Sequence, residues 1–271
     1  MTLILQRCML VTGASSGIGY ATADFFVNQG WIVYGLSRSG KVPSGVVPLL
    51  ADITDAILVK EVVAELFAAT GRLDAVVNSA GIGGASSIEN IPLSEAKKIL
   101  DTNVYGTLAV MQATLPYLRQ SQRGTFIAIS SIAGLLGVPF HGVYSASKFA
   151  VEGLIESLRL ELHGTGVMAV SICPGDTATP IIGHQFRAQP KDLPEVYRMN
   201  YEKVERAMRE SVDAGIAPVL IAETILKIIN TPSPTSRYPV GGIIQGLGPL
   251  TKRLLPLKWF ERLMKAYYGV S

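Results

Sequence analysis

Short apolar runs of strand length, rich in Val and Ile, recur along this chain at Cys8–Val11, Trp31–Leu36, Val46–Leu50, Leu73–Val77, Phe126–Ile129 and Val167–Cys173. Helical patterns separate them, near 18–29, 55–69, 94–119 and 143–163, with Thr54 and Ser94 as capping residues at two of the starts. Strands that are apolar on both faces need cover on both sides, and a parallel sheet with helices above and below provides it. The order of patterns therefore predicts a doubly wound α/β sheet, one domain over residues 1–271. A chain of this length with 48% hydrophobic and 17% charged residues has the material for one large core.

After about residue 174 the rhythm changes. The stretch PGDTATPIIGHQFRAQPKDLPEVYRMNYEKVERAMRES is rich in proline and then becomes a charged helix. A further helix at 218–230 and a last strand near Tyr238–Val240 are expected beyond it. Long excursions of this kind are commonly functional, so 180–216 reads as a helical insertion covering a substrate. Its apolar residues are Ile181, Ile182, Phe186, Tyr197, Met199, Tyr201 and Val204. Few fixed charges accompany them, and such a surface prefers a lipophilic alcohol or ketone.

Two segments carry chemistry. LVTGASSGIG sets Gly13, Gly17 and Gly19 directly after the first strand and at the start of the first helix, where a chain can turn sharply and let a pyrophosphate approach bare amides and the helix dipole. In PFHGVYSASKFAVEGLIESLRLEL, Tyr144 and Lys148 stand four residues apart on a helix and project toward one spot. A ketone that accepts a hydride also needs a proton donor at its oxygen, and the reverse oxidation needs a base there. A free phenol, with a pKa of about 10, is a poor base near neutrality, and an adjacent ammonium favours its ionised form.

The glycine spacing G-x-x-x-G-x-G, together with VVNSAG at 76–81, Asn103 in DTNVYGT, Ser131 in ISSIAG, Tyr144-x-x-x-Lys148 and Pro174-Gly175, resembles the short-chain dehydrogenase/reductase family in order and spacing over residues 8–180. Within it, the run around Tyr144 and the short loop after the second strand look most like the 17β-hydroxysteroid-dehydrogenase-like and retinol-dehydrogenase-like members. Ser79 and Asp176 depart from the family's pattern, which has a second Asn and a larger apolar residue or proline at these places.

The resemblance implies a Rossmann-type sheet and a catalytic set of Tyr144, Lys148, Ser131 and Asn103. Lys148 would also donate to the nicotinamide ribose, Ser131 would hold the substrate oxygen, and Asn103 would hold a water in a proton relay from Lys148. Asp52 would bond the adenine, although a plain charge at the start of a helix is an equal reading of it. Asn78, Ala80 and Gly81 would line the adenosine side and Thr179 the nicotinamide, with Ser15, Ser16, Ile18, Ile53, Pro174, Gly175 and Thr177 completing the cofactor contacts. The family also implies a homodimer or homotetramer through the helices at 94–119 and 143–163.

Cofactor preference reads from the residues themselves. In IVYGLSRSG, Ser37 stands where an NAD-selective fold has an acid, and Arg38 follows with a fork suited to a 2′-phosphate, so NADP(H) is expected. Steroid, retinoid and long-chain substrates fit the pocket, a small polar ketone remains open, and a cofactor-binding sensor without turnover is the competing class.

A net charge of +3 predicts no nucleic-acid partner. His141, His163 and His184 lack paired-ligand spacing, so no metal is expected, and His141 reads as a loop or pocket-rim residue. Cys8 and Cys173, both in apolar runs, fit a reducing cytosol. The opening MTLILQRCMLVTG has no leader-like apolar core. The tail at 248–271 is basic and amphipathic: it can touch an anionic membrane surface, or pack on the core or another subunit.

Overall fold

The computed structural model describes residues 6–121, 123–179 and 185–270. Seven parallel strands form the sheet, in the order β3-β2-β1-β4-β6-β7-β9. They are β1 (Cys8–Thr12), β2 (Ile32–Ser37), β3 (Val47–Leu50), β4 (Ala75–Asn78), β6 (Thr125–Ile129), β7 (Met168–Pro174) and β9 (Arg237–Val240). Side chains alternate across a strand, so each central strand feeds two cores. Cys8 and Leu10 of β1 face one core, with β6 residues Phe126 and Ala128. Helices α2 (Ala56–Thr70), α4 (Thr107–Leu118) and α5 (Gly142–Glu161) cover that side. Met9 and Val11 face the other core, under α1 (Gly17–Asn28) and α7 (Val219–Asn230). The doubly wound α/β sheet expected from the alternation is the observed fold. Both cysteines are free and buried.

Strand order reverses between β1 and β4, and open α/β sheets bind ligands at the carboxyl ends of the strands near such a point.

Three differences from the sequence reading have local causes. Asp55 rather than Thr54 caps α2, its Oδ1 accepting from the amides of Ile57 at 3.2 Å and Leu58 at 3.0 Å. Pro92 rather than Ser94 precedes α3 (Leu93–Leu100). The single helix expected over 94–119 is α3 and α4 joined by a wider π turn, Asp101–Gly106. Asn103 sits in that turn, where π bulges commonly mark functional positions.

The insertion contains β8 (Phe186–Arg187), which pairs with β5 (Gly84–Ala85) in a separate two-stranded sheet, and the charged helix α6 (Glu195–Asp213). Ile181, Ile182 and His184 lie outside the described residues. The tail forms two helices, α8 (Ile243–Leu254) and α9 (Leu257–Tyr268), separated at Pro256. No helix among the described residues is long and apolar enough to cross a membrane.

Candidate active site

One cavity of about 870 Å³ runs along the carboxyl ends of the strands. At one end lies the glycine loop. Gly13 has a φ of +68°, and a Cβ there would stand 2.9 Å from the backbone of Ala80. Ser16 is at the N-cap of α1 but makes no side-chain cap bond, and no acidic residue occupies the first turn. Amides at such a helix start are available to an anion. Ser15, Ser16, Gly17 and Ile18 line the cavity, and the Thr179 side chain lies 3.3 Å from where a Cβ on Gly17 would be.

Gly19 is not part of the wall. A Cβ on it would come 2.4 Å from the Gly13 carbonyl oxygen, so its bare α-carbon lets α1 start against the loop. Gly19→Ala should cost about 1–3 kcal/mol of stability by overpacking against backbone and weaken cofactor binding. Gly153→Ala, where a Cβ meets nothing within 4 Å in mid-helix, should instead stabilise by about 0.5–1 kcal/mol. Thermal melts with cofactor titrations check both, and equal melting points for the pair would contradict the packing argument.

Further along, Ser37 ends β2 with its hydroxyl buried and lacking a hydrogen-bond partner among the described residues. Arg38 projects outward, its side chain 76% exposed and 4.0 Å from Asp52 Oδ2. Asp52 accepts from the Thr54 amide at 3.0 Å and its hydroxyl at 2.9 Å while lining the cavity with Ile53, Ala80 and Gly81. Asn78, expected among these, is set behind them. Its amide accepts from Thr12 and donates to Thr107, both at 2.8 Å, tying β1, β4 and α4 together.

Tyr144 and Lys148 share the α5 face that closes the middle of the cavity, with Lys148 Nζ 5.8 Å from the phenol ring centre. The ammonium donates to the Ile129 carbonyl at 2.9 Å, and burial pulls its pKa down to about 8, against the opposing pull of Cys173 and Glu152. Burial also raises the Tyr144 pKa, partly offset by its hydrogen bond with Ser131 and reinforced by Asp176. The shift runs upward, against the lowering expected from the Lys148 charge, because desolvation is its largest cause. Ser131 caps a short 3₁₀ turn, its hydroxyl accepting from the Ala133 amide at 3.1 Å.

Asn103 sits behind this group, outside the wall. Its Oδ1 accepts from the Ile82 amide and its Nδ2 donates to the Ile82 carbonyl, each at 2.8 Å, and Nδ2 also donates to Ser147 at 2.9 Å. The side chain therefore fixes the strand-end loop against α5. Pro174 at the end of β7 and Gly175 and Thr177 after it line the wall, beside Asp176, which accepts from Ser211.

The far end is apolar, but not through the residues singled out in the insertion. Phe186, Tyr197, Met199, Tyr201 and Val204 do not line it: Val204 packs under α9, Tyr201 donates to the Ala188 carbonyl at 2.8 Å, and Met199 is exposed. Met208 and Val212, farther along α6, do line it, with Leu136, Val138 and the tail residues Leu263, Met264 and Tyr268. The apolar spacing Phe260, Met264, Tyr268 signalled a buried face in the sequence, but not what it would cover.

Sequence reasoning also missed Glu152, one turn beyond Lys148. It is buried, paired with Arg237 Nε at 2.5 Å, and accepts from Cys173 at 3.3 Å and Ser171 at 3.1 Å. Its place four residues from both Lys148 and Glu156, on the same face of the helix, was its signal. His141 is on the rim, buried, with Nε2 3.2 Å from Glu205 Oε1, and Glu205 is ion-paired to Arg187. Burial and the Arg187 charge pull the His141 pKa down to about 4, so it is neutral near pH 7.

Known proteins resemble this chain over most of its length. The profile of the short chain dehydrogenase family matches residues 7–190. A 3-ketodihydrosphingosine reductase of Bacteroides thetaiotaomicron is 34% identical over 269 residues, 97% of this chain and 98% of that protein. The mouse 17-beta-hydroxysteroid dehydrogenase type 1 is 33% identical over 258 residues, 85% of this chain and 72% of that protein. Among solved structures, a short-chain dehydrogenase from Streptomyces avermitilis superposes with a TM-score of 0.83 at 27% identity, covering 98% of each chain.

Proposed function

Since the chain belongs to the short-chain dehydrogenase/reductase family of nicotinamide-dependent oxidoreductases, we propose that it uses NADP(H) to interconvert a hydroxyl and a carbonyl on a lipophilic substrate. The observation that carries this reading is a single cavity that joins the glycine loop, the Tyr144, Lys148 and Ser131 cluster, and an apolar far wall.

The residues present fit such a cofactor. The open start of α1 suits a pyrophosphate, and the orphaned Ser37 hydroxyl beside the exposed Arg38 suits a phosphorylated ribose. Bound there, the nicotinamide supplies or takes the hydride. The chain's part is to hold the carbonyl oxygen with the Ser131 hydroxyl and to protonate it from the Tyr144 phenol; in the oxidative direction Tyr144 takes the proton back. Lys148 places its charge beside the phenol, favouring the phenolate left after proton transfer. Asn103 keeps the Ile82 loop and α5 in register around them.

Arg38→Glu should weaken NADPH relative to NADH by about tenfold or more, the value of one charged hydrogen bond turned into a repulsion. Titrating both cofactors checks it, and an unchanged ratio would contradict the NADP assignment.

Two relatives support the substrate class, since a long-chain keto amine and a steroid, the kinds of compound in their names, are both lipophilic. The test is the product. With NADPH carrying deuterium at the transferable position, reduction of a long-chain β-keto amine or a keto steroid should place deuterium on the new carbinol carbon. Absence of labelled alcohol from both would remove this reading.

A further inference from the structure

The two tail helices bury one face and expose another. On α9, Phe260 and Tyr268 pack with Ile132, Leu136 and Val204, Met264 beside them, while Trp259, Leu263 and Tyr267, four residues apart along the neighbouring stripe, are 61%, 47% and 44% exposed. Across the gap, α8 exposes Leu247, Leu250 and Leu254 on one stripe, Leu255 stands between the helices, and Leu257 opens α9. Exposed large apolar residues scattered singly are ordinary, but this many on two adjoining helices make a patch that calls for an occupant.

Its position names one. Leu247, Leu263 and Tyr267 belong both to this exposed surface and to the cavity lining, so the cavity opens through the patch. Around it stand Arg253, Lys258, Arg262 and Lys265, all exposed and in no ion pair among the described residues; Arg262 lies over the Trp259 ring at 5.3 Å. The only carboxylate on either helix is Glu261. A second copy of the chain docked face to face would bring these cations against their own kind. An anionic surface with an apolar interior accepts both the charges and the stripe, with Trp259 at the boundary.

We infer that α8 and α9 form a docking face for anionic lipid bilayers, through which the cavity opens toward the membrane. The docking stands on the surface alone; that a lipophilic substrate enters by this route rests on the function proposed above.

The test uses the full chain. Wild type should co-sediment with phosphatidylcholine vesicles containing phosphatidylglycerol at least about tenfold more than with phosphatidylcholine alone, and high salt should release it. In a Trp31→Phe background, Trp259 emission should shift to the blue on adding the anionic vesicles. The variant L254E/W259E should lose vesicle binding while keeping the wild-type melting point and circular dichroism spectrum.

Equal sedimentation with both vesicle types, or none at low salt, would overturn the inference. So would a wild-type dimer in analytical ultracentrifugation that the double variant turns into monomer, since the face would then belong to a second copy. Vesicle binding is read without any turnover, so failure of the proposed reaction would show separately.

Discussion

Tyr144→Phe should lower turnover by about a hundredfold to ten-thousandfold, the usual worth of a positioned acid or base, while cofactor binding and fold stay as in the wild type. The substitution removes one oxygen and little else. The ring keeps its place against the cluster that holds Ile132, Ala133 and Leu136, and what is lost is the hydroxyl bonded to Ser131. Because burial raises the phenol pKa, the wild-type side chain remains an effective proton donor at neutral and mildly alkaline pH. Steady-state kinetics with a parallel cofactor titration check this. Turnover within a few-fold of wild type would show that the proton comes from elsewhere.

Lys148→Met should raise stability while also losing activity. Burial holds the folded-state pKa at about 8, against 10.5 for the ordinary group. Below the lower value the lysine is charged in both states, and folding bears the full cost of burying that charge. Between them the folded protein releases a proton that the unfolded chain keeps, so wild-type stability rises with pH across this window. The difference corresponds to about 3 kcal/mol, from which about 1 kcal/mol is subtracted for the lost bond to the Ile129 carbonyl. The variant should therefore be about 2 kcal/mol more stable near neutrality, with that advantage shrinking as pH climbs through the window. Melting curves at several pH values check it. A variant that melts lower than wild type at neutral pH would show that Lys148 serves stability rather than function.

What was legible in the sequence was local. The strand and helix alternation depends on apolar periodicity within each segment, and every strand of the main sheet lies where a Val- or Ile-rich run or the Tyr238–Val240 stretch placed it. The glycine loop and the Tyr144 and Lys148 pair were readable because turn geometry and helix spacing act over a few residues. Contacts between distant segments were not. The π turn at Asn103 closes around the backbone of Ile82, so neither segment alone signals it. Asn78 looks like a cavity residue at a strand end until Thr12 and Thr107 are brought against it.

The substrate end shows the same limit. Apolar composition marked the insertion, yet the side of α6 that faces the cavity is set by how α9 and the loop after β6 pack on it, so Met208 and Val212 are in the wall and Tyr201 is not. Tail amphipathicity was evident from spacing. That one face would complete the pocket and the other remain exposed required the tertiary arrangement.

The most direct measurement is the loss of NADPH absorbance by purified protein across steroid, retinoid, long-chain and small polar ketones and aldehydes, with NADH run in parallel. Turnover should be confined to the lipophilic compounds and faster with NADPH. Tight NADPH binding with no turnover of any compound would contradict the proposed reaction and favour a cofactor sensor or a substrate class outside this panel.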